Sequence, residues 1–277
     1  MGLFEAIIFG IIEGFTEFLP ISSTAHLTIT EKLLGYKTNE PGIVAFTAVI
    51  QIGAIVATLI YFRNDIIRIV KAFLNGLLNQ KNRGQDYKFG WAIIIGSIPI
   101  AVIGLLFKDQ IETGLRSLWL VAAALIGWSF VLWLADHYAK QNRHEKDTSW
   151  KDTLFIGVGQ CFALIPGVSR SGATISAGLF RGMDRTAATR LSFFLAIPAL
   201  LAAGTLEAVT KAHDISGGVG WGPTIVATIV SFFTAYIAIA WLLKYVAKHN
   251  FTIFIIYRLF LGVILVILLS GGVISAT

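Results

Sequence analysis

Apolar residues fall along this chain in long runs separated by short polar intervals. Six runs are long enough to cross a hydrocarbon core of roughly 30 Å as helices. They are IVAFTAVIQIGAIVATLIYF from Ile43, WAIIIGSIPIAVIGLLF from Trp91, LWLVAAALIGWSFVLWLA from Leu118, LSFFLAIPALLAAGTL from Leu191, TIVATIVSFFTAYIAIAWLL from Thr224 and FTIFIIYRLFLGVILVILL from Phe251. Two further apolar stretches, residues 3–35 and 153–180, are broken by Pro, Gly, Ser and charge, and neither reads as a continuous helix. The pattern predicts an all-α polytopic membrane protein, with six transmembrane helices and two re-entrant helical hairpins in a single integral membrane domain spanning 1–277.

Composition agrees, with 56% hydrophobic and 14% charged residues, far from the balance of a soluble domain. The net charge of +6 does not point to nucleic acid, because the basic residues sit in intervals between apolar runs rather than on one soluble face. Their distribution reports orientation instead. The intervals 63–89, 136–152, 181–190 and 244–250 hold 6, 4, 3 and 2 Lys/Arg, against 2, 2 and 1 in 1–42, 108–117 and 208–222. The first set is expected in the cytoplasm. Both termini then lie outside, provided each interrupted stretch dips into the membrane and returns to its own side. A signal peptide is not expected, since the N-terminus lacks a basic region and Glu5 and Glu13 interrupt its apolar run. The single Cys161 excludes an intrachain disulfide and is expected to be a small buried residue.

The chain repeats itself. An offset of 147 positions lays GIIEGFTEFLPISSTA from Gly10 over GVGQCFALIPGVSRSG from Gly157, matching Gly10 with Gly157, Phe15 with Phe162 and Ser22 with Ser169, and placing Glu13 over Gln160. Phe46, Ile50 and Thr58 match Phe193, Ile197 and Thr205 at the same offset. Each copy is an interrupted segment followed by a full span, with repeat 1 at about 1–135 and repeat 2 at about 150–277. The charge-based topology makes the two copies inverted, an architecture in which a ligand site forms near mid-membrane where the breaks meet.

Both breaks carry polar motifs. In EGFTEFLPISSTAH, Glu13 and Glu17 are one helical turn apart, so their Cβ atoms stand roughly 5–6 Å from each other. Two carboxylates that close require a proton, a divalent cation or a cationic partner between them. Pro20 is expected to end the first helix, and Ser22 or Ser23 to cap a second through TAHLTITEKLL, with His26 folding back to meet the hydroxyl. Serine, histidine and carboxylate are the parts of a nucleophilic site. Singly, each has a plainer role as cap, interfacial ion pair or satisfied histidine, but five polar groups embedded together favour function.

In IPGVSRSGAT, Pro166 and Gly167 form the break, Ser169, Arg170 and Ser171 follow, and Gly172, Ala173 and Thr174 open the next helix. Small residues let backbone N–H groups converge on an oxyanion, and Arg170 brings a fork suited to phosphate. An arginine at mid-membrane depth costs on the order of 3 kcal/mol, which a bound polyanion would offset. The plainer alternative is a kinked hairpin in which Arg170 pairs with Glu13 or Glu17 and the hydroxyls bond to carbonyls. No P-loop lysine motif is present, which disfavours nucleotides. Gln51 is expected to bridge helices or line the cavity, Pro99 and Pro198 to kink their spans, and Arg258 to contact phosphate or pair across helices. His137, His144, His213 and His249 are expected to be solvated loop residues.

EGFTEFLPISSTAH and PGVSRSGAT are long, unusual strings, and through them the chain resembles, nearly end to end, the bacterial undecaprenyl-diphosphate phosphatases, also called bacitracin-resistance proteins. The resemblance implies a multi-pass phosphatase of the bacterial inner (plasma) membrane. It would remove the terminal phosphate of a polyprenyl diphosphate lipid, undecaprenyl diphosphate, and so recycle the carrier of cell-wall synthesis. It also implies an active site of Glu13, Glu17, Ser23, His26 and Arg170, with Ser22, Ser169, Ser171 and Thr174 as phosphate ligands. A divalent cation, Mg or Ca, would be held by Glu13 and Glu17. Ser23 would attack phosphorus while His26 or Glu17 takes its proton, or one of them would activate water directly. The first motif enters from outside, so the site is expected to open to the extracytoplasmic face. Inverted repeats equally suit a polyprenyl-phosphate transporter or flippase, in which the glutamates carry protons or cations. Membrane lipids are the expected surroundings, no nucleic acid is expected, and a homodimer is compatible with all of this.

Overall fold

The computed structural model describes residues 1–107 and 117–276. The interval expected at 108–117 lies outside the described residues, Ser117 excepted. Among the described residues the chain is helical, without strands: α1 (Leu3–Thr16), α2 (Ser23–Leu33), α3 (Pro41–Tyr61), α4 (Arg63–Leu78), α5 (Gln85–Leu106), α6 (Leu118–Tyr138), α7 (Trp150–Gln160), α8 (Arg170–Phe180), α9 (Arg185–Thr210), α10 (Ala212–Gly217), α11 (Trp221–Val246) and α12 (Thr252–Ser270). Six of these, α3, α5, α6, α9, α11 and α12, are long and apolar enough to cross a membrane. They coincide with the six apolar runs, and the chain is an all-α multi-pass membrane protein. Its outer surface is that of a lipid-facing bundle: on α11, Ile225, Ile229, Phe233 and Ile237 stand exposed in one stripe, while small Ala227, Ser231, Ala235 and Ala238 face the core.

Polar contacts sort the connecting segments onto two ends. At one end Arg190 bonds to Asp65 at 2.8 Å and to Glu145, and Arg185 Nε donates to Asp136 Oδ1 at 2.6 Å. Asp136 also accepts the Phe251 N–H at 2.9 Å. These bonds join three of the four intervals that hold most of the basic residues and reach Phe251, the residue after the fourth. At the other end Tyr36 Oη donates to Glu5 at 2.7 Å, Lys32 reaches Ser275 at 3.2 Å, and the Leu118 N–H donates to the Ala276 carbonyl at 2.9 Å. His144 is not simply solvated, because its Nδ1 lies 2.6 Å from Asp184. His137 and His249 stack on Trp133 and Tyr245.

One basic interval contains an unforeseen element. Residues 63–78 form α4, whose Ile67, Val70, Leu74 and Leu77 are exposed along one stripe while Arg68 and Lys71 carry charge beside them. A surface helix of this kind needs lipid against its apolar side. Its charged residues break the hydrophobic run, which is why the pattern reads as a connection.

The interrupted stretches become two helix–break–helix units, α1–α2 and α7–α8. Their second helices, Ser23–Leu33 and Arg170–Phe180, begin and end at the repeat offset. Each unit finishes at the end where it starts. Glu5 of α1 meets Tyr36 just past α2, and Asp152 of α7 meets Arg181 just past α8 at 2.8 Å. The first helix of each unit crosses a neighbour at its matched glycine: Gly10 lies against the Ala227 carbonyl of α11, and Gly157 against the Gly96 carbonyl of α5. A Cβ at either position would collide with backbone. α5 and α9 continue through Pro99 and Pro198.

Asp152 anchors the second unit. Its side chain is fully buried and accepts from Arg143 at 2.7 and 2.9 Å, from Arg181 at 2.8 Å and from Ser149 at 2.6 Å. Burial alone would raise the carboxyl's pKa, but these donors outweigh it and hold the group well below the usual carboxylate range. The stabilisation is complete above the unfolded pKa near 4 and drains away as pH falls toward the folded value. Asp152→Asn is expected to cost about 3 kcal/mol, read as a lower thermal midpoint at pH 7, and to flatten the loss of stability below pH 4. An unchanged midpoint would refute the anchoring role.

Candidate active site

The two breaks are built alike and meet face to face. α1 ends at Thr16, and Glu17 keeps helical geometry through its N–H to the Glu13 carbonyl at 3.0 Å. Ser22 then caps α2 by accepting the Ala25 N–H at 3.3 Å, and Ser169 caps α8 by accepting the Gly172 N–H at 3.1 Å. α8 thus begins at Arg170, ahead of the expected Gly172. Both caps adopt positive φ, 75° for Ser22 and 76° for Ser169. That backbone costs a serine on the order of 1–3 kcal/mol and signals a geometry held for a purpose. Gly167 has φ 99°, and a Cβ there would stand 2.6 Å from the Val121 carbonyl, so glycine is required on both counts.

Glu17 sits at the junction. Its Oε2 accepts the Ser23 hydroxyl at 2.6 Å and its Oε1 accepts Arg170 Nε at 3.2 Å. Arg170 also donates from Nη1 to the Ser192 carbonyl at 3.1 Å and lies over the Phe18 ring at 5.7 Å, while its buried Nη2 has no protein partner. A free guanidinium N–H in a buried wall is poised for an anion. Glu17, Ser22, Ser23, Ser169 and Arg170 together line a cavity of about 400 Å³. Gln51 lines it too, one of its two expected placements. The N-termini of α2 and α8 point their partial positive charge into this region.

The remaining candidates lie outside the cavity wall. Glu13 is fully buried and neither carboxylate oxygen has a partner. Ser171 Oγ donates to the Leu19 carbonyl at 2.8 Å, stitching the second unit to the first break, and Thr174 Oγ1 bonds to Ser192 Oγ at 2.6 Å. His26 does not meet the Ser23 hydroxyl. Its Nδ1 lies 2.7 Å from the Ser22 carbonyl and its Nε2 2.6 Å from Tyr257 Oη. A carbonyl only accepts, so Nδ1 carries the proton and the Nε2 of a neutral ring accepts from the tyrosine. Ser23 is instead drawn toward Glu17, the nearer acceptor on the preceding turn. Tyr257 gave no sign in the sequence, where it is one more aromatic in an apolar run.

Arg258 bonds across helices, one of its two expected roles. Fully buried in α12, it donates from Nη1 to the Pro20 carbonyl at 3.1 Å, from Nη2 to the Gly167 carbonyl at 3.0 Å and from Nε to Ser129 at 3.2 Å. Pro20 and Gly167 correspond at the repeat offset. One guanidinium therefore ties both breaks together. Cys161 is half-buried beside the second break rather than in the core.

The donor set also bears on a cation. Among the described residues no three acidic, histidine or cysteine side chains converge as a self-sufficient metal site. Glu13 and Glu17, one turn apart with the Glu13 oxygens unpartnered, nonetheless offer the hard oxygen donors that Mg or Ca takes, with further ligands left to water or phosphate.

A serine, carboxylate and guanidinium buried at the junction of two breaks, inside a multi-pass helical bundle, mark the chain as an integral membrane protein with a polar site within its fold. Comparison with known families makes the class specific. The family model described as Bacitracin resistance protein BacA matches residues 6–264, and the chain belongs to this family. It is 59% identical over 278 residues to undecaprenyl-diphosphatase 3 of Frankia casuarinae, with 100% of each chain covered. It is 56% identical over 284 residues to undecaprenyl-diphosphatase of Cutibacterium acnes and 47% identical over 278 residues to that of Mycolicibacterium smegmatis, again with 100% of each chain covered.

Proposed function

We propose that this protein is an undecaprenyl-diphosphate phosphatase, releasing inorganic phosphate and returning undecaprenyl phosphate to cell-wall synthesis, with bacitracin resistance as a consequence. Family membership supports the reading, and one observation carries its chemistry: the Ser23 hydroxyl donates to Glu17 Oε2 at 2.6 Å while Arg170 secures the other oxygen of the same carboxylate. A carboxylate so placed is a general base for the serine. Ser23 Oγ attacks the terminal phosphorus and its proton passes to Glu17. The bond from that phosphorus to the bridging oxygen breaks, the lipid monophosphate leaves, and water hydrolyses the phosphoserine. Arg170 Nη2 and the N–H groups opening α2 and α8 hold phosphoryl oxygens.

Mg or Ca, when bound at Glu13 and Glu17, would neutralise phosphate charge there. His26 on this reading is a positioning residue, holding the Ser22 carbonyl and hence the strained cap. Each helix–break–helix unit dips into the bilayer of the inner membrane and returns. α1 has 14 residues, about 21 Å of helix, too little to cross. The site opens to the extracytoplasmic face, toward which the cavity is lined by Thr24, Thr28 and Glu31 of α2 and by Thr38.

The test is phosphate release from undecaprenyl diphosphate by purified protein. Wild type is expected to turn over. Arg170→Ala leaves Glu17 buried without its counter-charge and removes a phosphate donor, so kcat/KM is expected to fall about 10²–10³-fold. Arg170→Lys keeps charge but not the fork, and is expected to fall between the two. A wild type that releases no phosphate refutes the proposal.

A further inference from the structure

A second hollow, of about 530 Å³, lies behind the cavity and is lined almost wholly by apolar side chains: Pro99, Val102 and Ile103 of α5, Val158 of α7, and Phe162 and Ile165 beyond it. Val102, Val158 and Phe162 are about half exposed on the lipid-facing surface. The two hollows share one wall. Along α5, Ile100 faces the cavity while Pro99 beside it faces the hollow. After α7 the chain makes a short 3-10 turn, Cys161–Leu164. From this turn Ala163 and Leu164 face the cavity, and Cys161 and Phe162 face the hollow. The wall is therefore a single turn of chain and one helix face, without a polar side chain. On the cavity side the lining changes character in the same direction, from Ser23, Arg170 and Ser169 at the breaks to Ile100, Ala163 and Leu164.

Resting on the phosphatase reading, we propose that the prenyl chain of the substrate leaves the cavity past the 161–164 turn and lies in the apolar hollow between α5 and α7, which makes that hollow the site of chain selection. A diphosphate lipid needs a polar pocket leading into an apolar track; here the polar lining gives way, and one apolar turn of chain is all that separates the cavity from the hollow. The hollow cannot hold a whole long polyprenyl chain. It takes the units nearest the headgroup, and the rest lies among bilayer lipid.

Two measurements test this. Cys161 is the only cysteine of the chain and lines the hollow, so it reports occupancy without mutation. A non-hydrolysable undecaprenyl methylenediphosphonate is expected to slow labelling of Cys161 by a small apolar maleimide roughly tenfold, and methylenediphosphonate alone to leave it unchanged. In parallel, Val158→Trp is expected to lower the ratio of kcat/KM for undecaprenyl diphosphate over dimethylallyl diphosphate at least about tenfold, with Ile229→Trp on the far lipid face leaving the ratio unaltered. Equal labelling with and without the chain, or an unchanged ratio in Val158→Trp, would mean that the hollow only takes bilayer acyl chains and would overturn the proposal. If wild type releases no phosphate from either substrate, the phosphatase reading falls instead, and Cys161 protection still reports where the chain lies.

Discussion

Ser23→Ala is expected to lower phosphate release from undecaprenyl diphosphate by at least about 10³-fold while leaving the protein folded and able to bind the lipid. The separation follows from the division of labour at the first break. The helix cap is Ser22, which accepts the Ala25 N–H, so Ser23 is spared from holding α2. Its hydroxyl makes one contact, the donation to Glu17 Oε2. Removing it leaves one oxygen of Glu17 without a donor, a cost of about 1–3 kcal/mol, with Arg170 still on the other. A phosphoserine trapped in wild type under single-turnover conditions, and missing in the variant, would complete the case. Activity within tenfold of wild type would show that water attacks directly, and would leave Glu17 as base without a nucleophilic serine. A transporter would tolerate the change with modest loss of lipid movement.

The second large effect is expected at a residue that touches no reacting atom. Arg258→Leu removes the donor shared by the Pro20 and Gly167 carbonyls and by Ser129, all at buried positions. Three stranded acceptors, each costing about 1–3 kcal/mol before relaxation, put the loss of stability at about 3–5 kcal/mol. The breaks would then be free to separate, taking Arg170 away from Glu17, so kcat/KM is expected to fall at least about 10²-fold. Arg258→Lys, whose point charge can serve one carbonyl but not both, should recover part of the midpoint and less of the activity. A leucine variant with the wild-type thermal midpoint and undiminished turnover would refute the bracing role.

Much of this architecture was legible in the sequence because it is written in residue type. Six runs of apolar side chains gave the spans, and proline, glycine and serine at a fixed offset gave the paired breaks. Glu17, Ser22, Ser23, Ser169 and Arg170, placed at those breaks by motif, do line one cavity. What stayed hidden is written in backbone and in distance along the chain. The partners of Arg258 are mostly carbonyls, which every residue carries, so its type could not distinguish a brace from a phosphate ligand. His26 faces Tyr257 from the far end of the sequence, a contact that local spacing cannot suggest. Ser171 and Thr174 have the composition of anion ligands, yet their hydroxyls are spent on Leu19 and Ser192, and only the packing of α8 decides that. α4 escaped notice because its charges divide an apolar stripe that exists only once the helix is coiled.

The crossings at Gly10 and Gly157 determine how such a site can be accurate. At each, main chain rests on main chain, at Gly10 with Val230 Cβ alongside, so neither α1 nor α7 can slide or roll by a rotamer change. Glu17 at the end of α1 and the second break at the end of α7 are thus carried on two wedges seated against backbone, their placement inherited from peptide geometry rather than negotiated by flexible loops.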